Sequence, residues 1–400
     1  MRGHVRQRGQ TWAAVVDVGR DESGKRKQRW YSGFRTKREA EKKLREVLTS
    51  LDEAAYIPPS RETVGHFLDR WLEATAGTIA ETTHDSYTFY VQRHLVPAIG
   101  PVELAKLTPG HLQHLYSVKL RSGRLDGKGG LSPRSVRHLH VTLHTALAAA
   151  ARWQVVSRNV ADLVDAPKII ARDMSTFSEH GIREFLEAVD GTEWYVPFYL
   201  ALFTGMRRSE LLALRWSDVD LDRGHAAVKR TVHRLRNGSI VFRGPKSAKG
   251  RRTIALPPST VVLLREHQEK QRARRVFLQS PSLSESDLVF SRMDGSPIPP
   301  DSLSQAWRRL TRQHGFGGIR LHDARHTHAS LLLKAGTHPK VVQERLGHST
   351  IGITLDLYSH VVPGLQEAAA LAFDAQLGQT DLHKGDQPGR IAFANRLHET

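Results

Sequence analysis

The sequence predicts a multidomain chain, mainly α-helical with α+β parts, and three observations carry that prediction. Its 400 residues exceed what one hydrophobic core usually organises, so two or three domains are expected. Two proline-bearing stretches, Ile57 to Pro59 and the polar, basic Pro167 to Thr176, cut the chain into three segments. Each segment then has its own hydrophobic period: β-prone runs before the first cut, helical spacing between the cuts, and a mixture after the second.

In the first segment, residues 11–19 (TWAAVVDVG) and 27–34 (KQRWYSGF) are short β-prone runs separated by Gly24 and charged turn residues, which predicts a hairpin. Thr36 then caps a helix from Lys37 to Leu51, with Glu39 at the capping-box position. A small sheet with one helix follows, anchored by Trp12 and Trp30. In the second segment Val64, Phe67, Leu68, Trp71 and Leu72 recur at helical spacing, and Thr82 opens a second helix that runs to a break at His94 to Pro97. Thr108-Pro109 and Ser132-Pro133 each place a capping hydroxyl before a first-turn proline. Residues 63–166 therefore predict a four- or five-helix domain. The third segment predicts helices near 178–190 and 194–214, strands near 225–234 and 239–243 joined by a tight type I′ turn at Asn237-Gly238, and a strand at 252–256. Residues 378–400 lose apolar periodicity and are expected to form a flexible tail.

Composition narrows the function. The chain holds 59 Lys+Arg against 41 Asp+Glu, a net charge of +18 with histidines neutral. Such a field attracts polyanions, because every neutralised phosphate releases condensed counterions. The first 50 residues carry 14 Lys/Arg and 6 Asp/Glu, a local excess of +8. Double-stranded DNA is the expected partner, with Arg26 and Arg29 on the N-terminal strands, Arg134 and Arg137 on the last long helix of the second segment, and Lys249 as candidate contacts. The chain has no cysteine, which excludes disulfides and thiolate metal sites. No apolar run approaches the ~20 residues a membrane span needs, and no signal-peptide core follows Met1. A reducing, cytoplasmic, DNA-associated protein with no membrane contact is expected.

The chemistry gathers in the third segment. Thr204-Gly205-Met206-Arg207 is followed by Glu210, which at i+3 lies on the same helical face and is placed to orient the Arg207 guanidinium. His322 and Arg325 also lie three apart on one helix. Two guanidiniums on one phosphate offer bidentate donors to its non-bridging oxygens, and they act on the transition state, where the negative charge grows. Lys246, in Gly244-Pro245-Lys246-Ser247, sits on a turn from which an ammonium can protonate a leaving oxygen; Lys249 competes for that role. Leu346-Gly347-His348 ends one helix, and Tyr358 follows ten residues later. A tyrosine there can attack phosphorus, with His322 and His348 assisting. The protein–phosphate ester so formed conserves the energy of the broken bond, so strands can be rejoined without ATP. His322 and His326, at i,i+4, also have zinc-ligand spacing, but Asp323 stands where the glutamate of a His-Glu-x-x-His protease would be. A packing or supporting role is therefore expected for His326 and His328, and no metal or other cofactor is expected.

In these motifs the chain resembles the tyrosine recombinases, specifically phage and conjugative-element integrases. Thr204 to Leu211 resembles the family's first arginine motif, Pro245 to Leu256 its β-hairpin lysine motif, and His322 to Ser330 its His-x-x-Arg-His-Thr box, with Ala324 where a larger apolar residue often stands. Leu346 to His348 and Tyr358 are similar to the third histidine motif and the nucleophile. The resemblance implies a three-stranded arm-type DNA-binding domain at 1–56, an all-α SAM-like core-binding domain at 60–167 and a mixed α/β catalytic domain at 175–377. It implies a site-specific recombinase that integrates, and also excises, a mobile element or phage genome. Arg207, Lys246, His322, Arg325 and His348 would form the catalytic set, and Tyr358 would form a 3′-phosphotyrosyl link. Four protomers would act on DNA attachment sites through a Holliday junction, with an excisionase or host DNA-bending protein as further partners. A resolvase or type IB topoisomerase-like enzyme shares the chemistry, but the basic N-terminal segment disfavours it. A DNA-binding regulator with a degenerate catalytic domain is opposed by the intact residue set.

Overall fold

The structure is a computed structural model that describes residues 3–20, 26–52, 61–170, 175–245, 248–358, 370, 371 and 373–375. The chain divides into two compact units, residues 1–172 and 173–400.

The first unit opens with an antiparallel sheet of β1 (Gly3–Arg8), β2 (Thr11–Arg20) and β3 (Arg26–Phe34), with β2 in the centre. The expected hairpin is present as β2 and β3. β1 was not read from the residues themselves, because its polar run GHVRQR has almost no apolar signal. Helix α1 (Lys37–Asp52) packs on one face of the sheet, burying Ala40 and Val47. The Thr36 hydroxyl accepts from the Glu39 N–H at 3.3 Å, while the Glu39 carboxylate accepts from the Arg35 N–H at 3.0 Å, one residue earlier than the expected box. Register separates the two faces. Gly3 pairs with Val16 and Val16 with Arg29, and a Cβ added at Gly3 would meet Leu44 of the helix, so Arg29 lies on the helix-bearing face and is half-buried. His4 pairs with Val15 and Val15 with Trp30, which places Trp30 on the opposite, open face. Trp30 is therefore not a core anchor: it is 41% exposed, with the Arg8 guanidinium 5.9 Å from its ring. The Arg26 side chain lies outside the described residues.

The helices of this unit are α2 (Val64–Thr75), α3 (Glu81–Tyr90), α4 (Val96–Ile99), α5 (Pro109–Ser122) and α6 (Pro133–Arg152). Phe67, Leu68, Trp71, Leu112, Tyr116, Leu139, Leu143 and Leu147 meet in one core. The expected break at His94 to Pro97 is instead a π-helical turn, Val91–Leu95, that carries α3 into α4. The Val96 N–H reaches back five residues to the Val91 carbonyl, and this extra residue takes up the missing N–H of Pro97 without ending the helix. Pro109 and Pro133 open their helices as expected, and Ser132 caps the Ser135 N–H at 3.2 Å. Arg134, Arg137 and His138 are exposed on α6.

The second unit begins with α7 (Glu179–Ala188), α8 (Tyr195–Thr204) and the one-turn α9 (Arg208–Leu211). Strands β4 (Val219–Asp220), β5 (His225–Val228), β6 (Thr231–Arg234), β7 (Ile240–Arg243) and β8 (Arg252–Ala255) come next. They form an antiparallel β4-β5-β8 sheet and a separate β6-β7 hairpin. The expected strand 225–234 is thus two strands. It bends at Lys229-Arg230, whose side chains both pair with buried Asp218, at 3.2 and 2.8 Å. The hairpin turn also differs from expectation. The Gly238 N–H donates to the Leu235 carbonyl and the Leu235 N–H to that of Ser239, with a positive φ at Gly238 and not at Asn237. That is a three-residue loop with a glycine bulge, since type I′ needs both central residues at positive φ. Helices α10 (Pro258–Phe277), α11 (Pro300–Gln313), α12 (Leu321–Lys334), α13 (Pro339–Leu346) and α14 (Ile351–Tyr358) complete the described elements. Trp307 is fully buried against Phe185 and Phe198, with centroids 5.0 and 4.9 Å away, and donates its indole N–H to the Ile319 carbonyl. This core fixes α8, α11 and the approach to α12, the elements that carry the site. The tail expected at 378–400 lies outside the described residues. Among the described residues no helix is long and apolar enough to cross a membrane.

Candidate active site

The chain leaves α8 through Thr204-Gly205-Met206-Arg207, and here the expected continuous helix 194–214 is interrupted. Gly205 adopts φ +65°, and a Cβ on it would fall 2.5 Å from Leu346 Cδ2 and 2.9 Å from His328 Cδ2. Glycine is required by both backbone and space. The turn makes Arg207 the extended N-cap of α9 rather than a residue of its interior. Its backbone N–H donates to Glu210 Oε2 at 2.9 Å, and its Nη1 to Glu210 Oε1 at 2.7 Å. Glu210 also accepts from Arg252 at the start of β8, with Nη2 at 2.8 Å from Oε2 and Nη1 at 3.2 Å from Oε1. Burial pushes the Glu210 carboxyl up, but the Arg252 hydrogen bonds and charge, with Arg207 behind them, hold it below the usual carboxylate range.

Four successive residues, from the last of α13 onward, tie the remaining groups together. Arg325 is buried, and donates to the carbonyls of Gly205 and Leu346. Arg207 Nη2 donates to the Gly347 carbonyl at 3.3 Å. His348 comes next, and Lys249 Nζ donates to the Ser349 carbonyl at 2.8 Å. Gly347 turns this segment with φ +65°, and a Cβ there would lie 2.9 Å from the Lys249 carbonyl oxygen. Arg207, Arg325, His348 and Lys249 are thus brought to one short turn. Each guanidinium is held along one edge and keeps further N–H groups for an anion. Burial, and then the Arg207 charge, push Arg325 down to about 9, which leaves it cationic at neutral pH.

The histidines are neutral for the same reasons. His322 stands in the first turn of α12, three residues before Arg325, with its ring 4.9 Å from that of His326 in an edge-on arrangement. Desolvation, followed by His326 and Arg325, pushes it down to about 4, although the residue keeps a solvent-exposed side. Buried His348 is pushed down to about 3 by desolvation and by the Arg325 and Arg207 charges. His328 is held between the Leu202 carbonyl, 2.9 Å from Nδ1, and Arg345 Nε, 3.0 Å from Nε2. It ties α12 to α8 and α13, a packing role.

The expected site residues are therefore placed as follows. Arg207, Glu210, His322, Arg325, His348 and Lys249 share one region of the second unit. Tyr358 is the last residue of α14, and its side chain lies outside the described residues, as does the whole of Lys246. Arg134 and Arg137 belong to the first unit. Sequence reasoning missed Arg252 and Arg345, for which only the basic run Arg251-Arg252 hinted at a role. It also missed Arg6 and Arg8 on the open face of the N-terminal sheet, where β1 itself had gone unread.

Buried neutral histidines make stability depend on pH. Burial, then the Arg345 charge, push His328 down to about 4, as they do His348 to about 3 under its own arginines, whereas unfolded histidine titrates near ~6.5. The unfolded chain therefore binds protons first, and folding is favoured fully above pH ~6.5 and progressively less as pH falls toward the folded values. Chemical denaturation of the second unit should show a lower midpoint at pH 5 than at pH 7.5. Glu210 acts in the same direction only below the carboxylate range, so an unchanged midpoint across that interval would contradict neutral His328 and His348.

Residues 176–363 match the phage integrase family, residues 4–51 an arm DNA-binding domain, and residues 63–120 the N-terminal SAM-like domain of phage integrases. An integrase of Streptomyces ambofaciens is 29% identical over 386 residues, covering 93% of this chain and 95% of its own. A XerC-like tyrosine recombinase of Caldanaerobacter subterraneus is 26% identical, with 90% and 95% covered. Among solved structures, the Tn1549 transposon integrase in complex with a circular intermediate DNA superposes with a TM-score of 0.65 at 19% identity, over 78% of this chain and 99% of that one. A lambda integrase tetramer bound to a Holliday junction gives 0.53 at 17% identity, over 86% and 95%. The last two likenesses concern the fold; with the family matches along the chain and the convergence of Arg207, His322, Arg325 and His348, they lead to one conclusion: the chain belongs to the phage integrase family, the tyrosine recombinases that cleave and rejoin DNA.

Proposed function

We propose that this chain recombines DNA at specific attachment sites through a covalent intermediate on Tyr358, and the observation that carries the reading is the convergence of two arginines on the turn at Leu346 to Ser349. The Tyr358 phenol passes its proton to the neutral His322 ring as its oxygen attacks a backbone phosphorus; the bond to the 5′ oxygen breaks, leaving a 3′-phosphotyrosyl ester and a 5′-hydroxyl. Arg207 and Arg325 hold the two non-bridging oxygens, while His348 donates a hydrogen bond to the phosphate as a neutral ring. A lysine of the segment between β7 and β8 protonates the leaving oxygen. Lys246 is the one proposed, with Lys249, held against the Ser349 carbonyl, as its competitor. Rejoining is the same step reversed, with a 5′-hydroxyl from either strand as attacking group.

The same reading assigns residues 1–56 to arm-type DNA, with the open sheet face bearing Arg6, Arg8 and Trp30 as the contact surface. It assigns residues 60–167 to the core site, with Arg134 and Arg137 as phosphate contacts, and 175–377 to catalysis. A lambda integrase tetramer is bound to a Holliday junction, and a tetramer on DNA is the assembly proposed here. An excisionase or a DNA-bending protein would set direction in a nucleoid-bound complex.

Four outcomes are expected. Tyr358→Phe should abolish the covalent adduct on a nicked suicide substrate while leaving DNA affinity within about twofold, since one hydroxyl is removed from a strongly cationic chain; an adduct that persists or maps to another tyrosine would overturn the nucleophile. Arg207→Lys and Arg325→Lys should each slow single-turnover cleavage by roughly 10²-fold or more with a much smaller effect on binding, because a point charge keeps the attraction but loses the fork. Cleavage by the wild type should persist in excess EDTA without nucleotide, and losses confined to affinity, or a metal requirement, would refute the charge argument. Removal of residues 1–55 should leave core-site cleavage and abolish protection of separate arm-type sequences in footprints. An unchanged footprint would remove the arm assignment.

A further inference from the structure

The main chain of His348 is fixed from both sides by one buried residue: its N–H donates to the Gln343 carbonyl at 3.1 Å, and its carbonyl accepts from Gln343 Nε2 at 3.2 Å. What that leaves open is the ring's tautomer. His348 Nδ1 lies 2.9 Å from the Thr354 hydroxyl, and both residues are buried. Thr354 belongs to α14, the helix that ends at Tyr358. The two are four residues apart and so share one helical face.

We propose that Thr354 is a positioning residue: its hydroxyl donates to His348 Nδ1, fixing the tautomer whose Nε2–H faces the phosphate, and so makes that donor dependent on the docking of the nucleophile's own helix. This rests on the reading that His348 contacts the phosphate. A neutral imidazole has one donor and one acceptor nitrogen. With the proton on Nδ1, the ring would turn a lone pair toward an anion. With the hydroxyl donating to Nδ1, the ring turns an N–H toward it. Burial, and then the surrounding guanidiniums, disfavour the doubly protonated ring, the third possibility, as its depressed pKa reflects. Second-partner hydrogen bonds of this kind fix which nitrogen carries the proton. Because α14 supplies both the hydroxyl and the nucleophile, the phosphate donor is set only when Tyr358 is delivered alongside it.

The test uses the full chain and a nicked suicide duplex under single-turnover conditions. Thr354→Val, which keeps the shape and removes the hydroxyl, should slow cleavage on the order of tenfold, the size of one hydrogen bond, with DNA affinity unchanged. Thr354→Ser should restore the rate to within about threefold, since it restores the donor. In a His348→Ala background, Thr354→Val should cost nothing further. In histidine-15N-labelled protein, with the His348 signals assigned by difference against His348→Ala, the wild type should show an unprotonated Nδ1, and Thr354→Val a mixture of tautomers. Equal rates for Thr354→Val and wild type, equally slow Val and Ser variants, additive losses in the double variant, or a tautomer that ignores the substitution would each overturn the proposal. If His348→Ala itself cleaves at the wild-type rate, the underlying reading of His348 fails, a result distinct from failures confined to Thr354.

Discussion

The turn from Leu346 to Ser349 is the constraint on which the site depends. Its carbonyls at 346, 347 and 349 accept from Arg325, Arg207 and Lys249, groups that arrive from α12, the α8–α9 turn and the segment before β8. Those donors are separated in sequence by up to 140 residues from the carbonyls they meet. What makes the convergence possible is a pair of left-handed glycines, Gly205 and Gly347, each crowded by the other elements: Gly205 by Leu346 and His328, Gly347 by Lys249 and Arg252. A side chain at either would push two catalytic elements apart, so both arginines would be displaced by a change that touches neither.

Charge balance explains the rest of the arrangement. Glu210 carries one negative charge between Arg207 and Arg252, and Arg325 rests on neutral carbonyls rather than a carboxylate. The buried carboxylate is worth retaining because removing one partner of such a set strands the others in a low dielectric, at a cost of about 3–5 kcal/mol. Its role is geometric as much as energetic. It holds the Arg207 side chain and backbone N–H together at the N-terminus of α9, where a negative group is also favoured by the helix dipole.

The parts of this architecture visible in the sequence are those written as local spacing. Arg207 with Glu210, His322 with Arg325, and His348 ten residues before Tyr358 each lie within a few helical turns, so their types and intervals carry the chemistry on their own. Thr36, Pro109 and Ser132-Pro133 marked helix starts for the same reason. Arg252 and Arg345 were invisible because their partners come from distant segments, and an arginine opening a strand has no local pattern that distinguishes burial from solvation. Gln343 and Thr354 meet His348 only five and six residues away, but across the left-handed turn at Gly347, which periodicity does not show. The misread elements have local causes of another kind. Pro97 looked like a helix break because a π turn cannot be anticipated from periodicity. Gly205 looked like a tolerated residue inside a helix, when its left-handed conformation creates the site.

Preorganisation follows from these contacts rather than from any feature of the substrate. Arg207 and Arg325 repel one another, which is why the Arg207 charge is the second cause, after burial, of the lowered Arg325 pKa. Glu210 offsets part of that repulsion, and an anion placed between the two guanidiniums would relieve more of it. A phosphodiester carries one such charge in the ground state, and more develops on its non-bridging oxygens as a fifth ligand reaches phosphorus. In the proposed mechanism, because carbonyls and Glu210 already hold both guanidiniums, no reorganisation would be needed at that moment, and the interaction would grow as the charge grows. Neutral histidines fit the same logic. A further cation would deepen the repulsion in the empty site, whereas a neutral N–H donor strengthens with the developing charge and costs little before it appears.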